Sequence, residues 1–181
     1  MGIKKTLSKK YIAKNPICAV REDTVELDNG KITTRIVLET TPGSIVFAVT
    51  KDNEVLLVKN YSYIHNKMLW ELPAGYMEKN DTPEKTARRE LLEETGYEAG
   101  SFEYLGEIYD KPGRTNKISH TFLARNIKKT SKLKLDEGEK ITVHKVKIDK
   151  LMKMIEKNEI KTSDALATIL LALQRLKQKP L

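Results

Sequence analysis

Alternating apolar and polar residues form two runs between Val20 and Leu38, one on each side of LDNGK. Asn29-Gly30 supplies the positive backbone angles that a two-residue hairpin turn needs, which predicts a β-hairpin. SIVFAVT (44–50) and EVLLVKNY (54–61) are β-rich, and Lys51-Asp52-Asn53 between them predicts a second hairpin. LWEL continues as a short strand that ends at Pro73.

The period then changes. Asp81 is suited to cap a helix, with Glu84 as its capping-box partner, Pro83 in the first turn and Gly96 as the stop. FEYLGEIY (102–109) and ISHTFLA (118–124) predict strands, and the proline and glycine of DKPGRTN force a loop between them. ITVHKVKI predicts another strand, with His144 outward or satisfied locally. LMKMIEK predicts a short helix, and residues 164–178 place Leu166, Ile169, Leu170, Leu173 and Leu176 at helical spacing as a core stripe. Trp70 is expected in the core. Strands, helix, strands and helix in that order predict an α+β fold, and the short connections favour mixed or antiparallel pairing.

At 181 residues the chain is long enough to bury a continuous core as one domain with an appended element. Its 39% hydrophobic and 32% charged residues exclude the disordered and fibrous classes. A net charge of +8 suits a polyanionic ligand, but the basic residues are scattered, which argues against a nucleic-acid surface. Cys18 is the single cysteine, so no intrachain disulfide can form and a reducing cytoplasm is the expected compartment. The apolar run ILLAL is too short to cross a bilayer, so no membrane association is expected.

Against this background one segment stands out. RRELLEETG sets Glu90, Glu93 and Glu94 within roughly a 100° arc of one helix face. Like charges at that spacing destabilise a helix by roughly 0.2–0.5 kcal/mol a pair, and Arg89 cannot neutralise all three. One reading is a solvated acidic face; the other is a seat for a hard divalent cation, which takes carboxylate oxygens.

The longer stretch GYMEKNDTPEKTARRELLEETGY resembles the Nudix box. Gly75, Arg89, Glu90, Glu93, Glu94 and Gly96 occupy its fixed positions, Leu91 and Tyr97 its apolar ones, and Asp81 stands where the family has glutamate. With each residue type at roughly 7%, six such matches arise by chance on the order of once in 10⁵ chains of this length. ELPAG, TPG at 41–43 and YDKPG at 109–113 are similar to ADP-ribose pyrophosphatases and related nucleotide-sugar hydrolases, in which a proline follows the box as Pro112 does here.

The resemblance implies an α/β/α sandwich with a mixed sheet, preceded by an N-terminal antiparallel β-hairpin. It implies hydrolysis of ADP-ribose to AMP and ribose 5-phosphate with Mg²⁺ or Mn²⁺. Glu90 and Glu94 would be the principal metal ligands, Glu93 a further one, the carbonyl of Ala74 a backbone ligand, and Arg89 the residue that orients the carboxylates. Glu139, in the acidic loop LDEGEKITV, takes the position of the general base, with Glu137 as the alternative. Arg35, Tyr61, Tyr63, Glu71, Pro112 and Gly113 fall at substrate-binding positions. Residues 1–40 would form the hairpin element of a homodimer, and residues 41–181 the catalytic domain. The alternatives are another nucleotide sugar or an oxidised nucleotide as substrate, or a non-hydrolytic module that binds nucleotide or RNA. Ser62, in place of a common arginine, and Asn116-Lys117, in place of an acidic stretch, depart from the subfamily near the expected pocket.

Overall fold

The computed structural model describes residues 2–135 and 140–178. Its strands are β1 (Ile3–Lys14), β2 (Cys18–Leu27), β3 (Ile32–Thr40), β4 (Gly43–Ala48), β5 (Glu54–Ser62), β6 (Lys67–Glu71), β7 (Ala74–Tyr76), β8 (Tyr97–Tyr109), β9 (Ile118–Lys129) and β10 (Ile141–Lys147). The helices are α1 (Pro83–Thr95), α2 (Ile148–Glu156) and α3 (Ser163–Gln178). By contact the chain divides into one unit of Met1–Pro42 with Tyr109–Ile118, and another of Gly43–Ile108 with Ser119–Leu181.

In the first unit β1, β2 and β3 form an antiparallel sheet in that order. The hairpin turns at Asn29-Gly30 as expected, but the loop is three residues long and not two: Leu27 N–H donates to the Lys31 carbonyl, and only Gly30 takes a positive φ, 80°, while Lys31 N–H donates back to the Asn29 side chain. The β2–β3 hairpin is therefore present, and β1 adds a further strand that no alternation in its lysine-rich sequence predicts. The 110–117 segment joins this sheet at the free edge of β3, where Leu38 N–H donates to the Arg114 carbonyl at 2.8 Å.

In the second unit β7-β4-β9-β8 form a mixed sheet, with β4 parallel to β9 and antiparallel to β7, and β10-β5-β6 form an antiparallel one. Every residue of β4 is buried, and the two-residue period of a strand distributes them. Ile45 and Phe47 pack with Leu151 and Met154 of α2 and Ala165, Ile169 and Ala172 of α3. Val46 and Ala48 pack with Ala87 and Leu91 of α1. Two apolar clusters on opposite faces of the strands give the expected α+β arrangement, a mixed-sheet core flanked by helices.

Three local expectations change. β4 and β5 do not form a hairpin ladder: a single bridge, Val49–Val55, links them before each joins a different sheet. Thr82, not Asp81, caps α1, accepting from Lys85 N–H at 3.2 Å. Leu170 lies off the buried stripe of α3 and is 59% exposed, whereas Ala165, Ile169 and Ala172 complete that stripe. Trp70 packs against the core, with the Lys59 ammonium 5.1 Å from its ring centre, and His144 is satisfied locally by Thr142.

Candidate active site

Helix α1 carries the acidic ridge, and its two ends are fixed. Pro83 starts it, the Ser44 hydroxyl donates to the Pro83 carbonyl at 2.7 Å, and Gly96 ends it in the left-handed region at φ 73° with its N–H on Leu92. Ala87 and Leu91 sink into the apolar cluster beneath. That anchoring sets the rotation of the helix and turns Arg89, Glu90 and Glu94 toward β7.

Arg89 is the organiser. One guanidinium nitrogen stands 2.7 Å from Glu90 and 3.0 Å from Glu93, and another donates to the Tyr76 carbonyl at 2.9 Å. Its buried Nε has no hydrogen-bond partner among the described residues and lies 3.8 Å from Glu78 and 3.9 Å from Asp81. Burial pulls its pKa down, but the charge of Glu90 and the bonds to Glu93 and Glu90 outweigh that and hold it above the ordinary arginine value. The guanidinium stays charged, and it relieves the i,i+3 and i,i+4 repulsion that the sequence sets up.

Two further contacts seat the carboxylates. The Glu90 carboxyl rests directly against the Cα of Gly75, where any Cβ would overlap it. Glu94 is 6% exposed, and its carboxylate accepts the Ala74 N–H at 3.0 Å. Asp81 serves the start of the helix instead. Its side chain is buried, pairs with Lys85 at 2.6 Å and accepts from the Thr86 hydroxyl. The Lys85 bond is the main reason its pKa lies below the usual carboxylate range.

The donors fit a hard cation in kind: carboxylate oxygens on one helix face, one of them cradled on a glycine backbone. Among the described residues, no three acidic, histidine or cysteine side chains stand in ligating geometry. Glu90 and Glu93 share Arg89, while Glu94 faces Ala74. The fit is therefore one of donor type and position.

Behind Glu94 lies a cavity of about 140 Å³ lined by Asn60, Glu71, Ala74, Glu94, Thr162 and Asp164. Glu71 is thus brought beside Glu94. Asn60, Thr162 and Asp164 had no functional signal, because a threonine and an aspartate at a helix start read as capping residues. The Thr162 hydroxyl is enclosed and has no hydrogen-bond partner among the described residues.

Tyr61 and Tyr63 line none of this; Tyr61 donates to Asn66 and Tyr63 is 87% exposed. Ser62 hydrogen-bonds to His65 at 2.8 Å. Arg35, Pro112 and Gly113 meet in the first unit, in a separate cavity of about 580 Å³. Glu137 and Glu139 lie outside the described residues. No helix among the described residues is long and apolar enough to cross a membrane.

Comparison with known proteins agrees with this geometry. The NUDIX domain family matches residues 39–167, and the nucleoside diphosphate sugar hydrolase N-terminal domain matches residues 4–38. The chain is 35% identical over 158 residues to an ADP-ribose pyrophosphatase of Bacillus subtilis (strain 168), covering 86% of this chain and 85% of that protein. It is 32% identical over 167 residues to the methanol dehydrogenase activator of Bacillus methanolicus, covering 91% and 90%. A solved structure described as an ADP compounds hydrolase superposes with a TM-score of 0.87 over 97% of this chain and 95% of that one; at 17% identity the likeness concerns the fold. With the box residues gathered around Arg89 and Gly75, this chain belongs to the Nudix family and is a pyrophosphohydrolase-type enzyme acting on a nucleoside-diphosphate-linked compound.

Proposed function

We propose that the protein hydrolyses the pyrophosphate bond of ADP-ribose to AMP and ribose 5-phosphate, using Mg²⁺ or Mn²⁺. The observation that carries the reading is the acidic ridge of α1, held by Arg89 with Glu90 on Gly75 and Glu94 on Ala74. The likeness to an ADP-ribose pyrophosphatase along most of both chains supports the choice of substrate.

The chemistry follows from charge. A diphosphate and a row of glutamates repel each other, so neither could approach the other in water-poor surroundings without cations between them. Glu90, Glu94 and the Ala74 carbonyl would hold the ion, with Glu93 as a further ligand; when bound, it screens the diphosphate and lowers the pKa of a water. Arg89 fixes the rotamers of Glu90 and Glu93 before substrate arrives. Glu139, or Glu137 in its place, would take the proton of the attacking water. Arg35, Pro112 and Gly113 would contact the nucleotide, and Tyr61, Tyr63 and Glu71 remain proposed pocket members.

Residues 1–40 are proposed as the element that builds a homodimer, and residues 41–181 as the catalytic domain. Ile12, Ile32 and Ile36 are all exposed on the three-stranded sheet, an apolar surface that a second copy would cover. A second reading, another nucleotide sugar as substrate, is favoured by the N-terminal match to nucleoside diphosphate sugar hydrolases. A substrate panel with Mg²⁺ separates the two. ADP-ribose should show the highest kcat/KM; equal or faster turnover of GDP-mannose or a nucleoside triphosphate would remove the assignment.

A further inference from the structure

The first unit contains two arginines that its own acids do not neutralise. In the β2–β3 register Arg35 faces Asp23 and Val37 faces Arg21, so Arg21, Asp23, Arg35, Val37 and Glu39 share one face of the sheet. Arg21 takes both acids of that face. It bonds Asp23 through two nitrogens, at 2.6 and 2.9 Å, and it also pairs with Glu39. Arg35 is left with one bond, to the Thr34 carbonyl at 2.9 Å, and no ion pair among the described residues.

Arg114 lines the same cavity as Arg35, on a turn held by backbone bonds. Its N–H donates to the Lys111 carbonyl at 2.8 Å, its own carbonyl accepts Leu38 N–H at 2.8 Å, and Thr115 bridges Leu38. The turn is therefore pinned to β3, while the Arg114 guanidinium has neither a hydrogen-bond nor an ion-pair partner among the described residues. Both arginines line the cavity of about 580 Å³, together with Thr6, Val37, Pro112 and Asn116. Asn116 spends its carbonyl oxygen on Thr40 N–H, which leaves its amide NH₂ as a donor. The wall so built is apolar in part, rich in donors, and carries one carboxylate, Asp23, already bound to Arg21.

A cavity of this size accommodates a nucleoside, and two unpaired guanidiniums with donor neighbours are the donor type that takes a phosphate. We infer that this cavity binds a phosphate monoester on the ribose ring of a nucleotide through Arg114 and Arg35, a site for nucleotides that carry such a phosphate in addition to the one on their 5′ carbon. The inference goes beyond the ADP-ribose reading, since ADP-ribose carries no phosphate on its ribose hydroxyls. Arg114 acts as a specificity residue: it adds affinity only where the extra phosphate is present.

The test is calorimetry of the full-length protein with adenosine 5′-monophosphate, adenosine 2′,5′-bisphosphate and adenosine 3′,5′-bisphosphate, on wild type and R114Q, with thermal unfolding to confirm that the variant folds. At least one bisphosphate should bind about tenfold more tightly than the monophosphate, the size of one charge-assisted contact. Which one gains tells which ribose hydroxyl carries the phosphate. The gain should shrink as salt is raised and disappear in R114Q, while monophosphate affinity and ADP-ribose kcat/KM stay within about twofold. Bisphosphates that bind no better than the monophosphate, or a gain that survives R114Q, overturn the inference. If wild type fails to hydrolyse ADP-ribose yet shows an Arg114-dependent gain, the substrate reading falls and the phosphate site stands.

Discussion

Strand β1 and helix α1 stand at opposite ends of the range of burial in this molecule. All residues of Ile3–Lys14 are exposed, including Leu7, Tyr11 and Ile12, and the strand is held by its ladder to β2 and by lysine pairs to Glu26. Helix α1 has Ala87 and Leu91 fully enclosed, a cap at each end, and even a buried carboxylate, Glu94, with a backbone donor. The acidic helix is enclosed by the rest of its unit, and the lysine-rich strand is covered on neither face. Function that depends on α1 should therefore tolerate dilution of the protein, whereas whatever β1 contributes should depend on association.

The sharpest way to probe the complete side is Glu94→Gln. Glutamine keeps the carbonyl oxygen that accepts Ala74 N–H, so the fold should survive, while metal-dependent turnover should fall on the order of 10²–10³-fold. Steady-state rates with Mg²⁺ beside a thermal melt check both halves; an active variant would remove Glu94 from the metal site.

A paired substitution breaks the comparison next. Leu91→Ala opens a cavity under α1 and should cost about 2–5 kcal/mol in denaturant unfolding. Ile36→Ala, at a side chain 45% exposed, should stay within about 0.5 kcal/mol at concentrations where the protein is monomeric. If Ile36→Ala weakens self-association in sedimentation experiments, the open sheet is the dimer surface; unchanged association would exclude it.

The smallest effect is acid. Lys4 first, and Lys5 second, hold the Glu26 carboxyl below the usual glutamate range. A depressed carboxylate stabilises the folded form at pH values above its unfolded pKa, near 4.3, and that contribution is lost as pH falls through the folded value. Protection of β1 amides, corrected for intrinsic exchange, should weaken in that window, and Glu26→Gln should flatten the dependence. The lysines are more than half exposed, so salt should also mute it.

What is legible in the sequence divides along the same line. The box helix, the Asn29-Gly30 turn and the late strands are local signals, and each is found where the pattern puts it. β1 is not legible, because five lysines interrupt any alternation and its partner strand, not its own period, makes it a strand. The expected β4–β5 hairpin fails for the opposite reason: the turn chemistry is present, but both strands are apolar on two faces, and burying both faces sends them to different sheets. Asp81 and Thr82 are adjacent capping residues, and Asp81 is drawn instead to the side chains of Lys85 and Thr86 in the first turns of the helix, which leaves the cap to Thr82. At the site, the glutamates and Arg89 are legible as a motif, whereas Asn60, Thr162 and Asp164 are brought to Glu94 by folding from distant parts of the chain.

The contact between Glu90 and the bare Cα of Gly75 offers an experimental handle. Adding one methyl group there would evict only the tip of a pivoting side chain, so alanine at this position should yield a well-folded protein in which the proposed cation seat is shut. Such a protein would need no chelator to serve as a metal-blind control, and it would separate nucleotide recognition from bond cleavage in a single preparation.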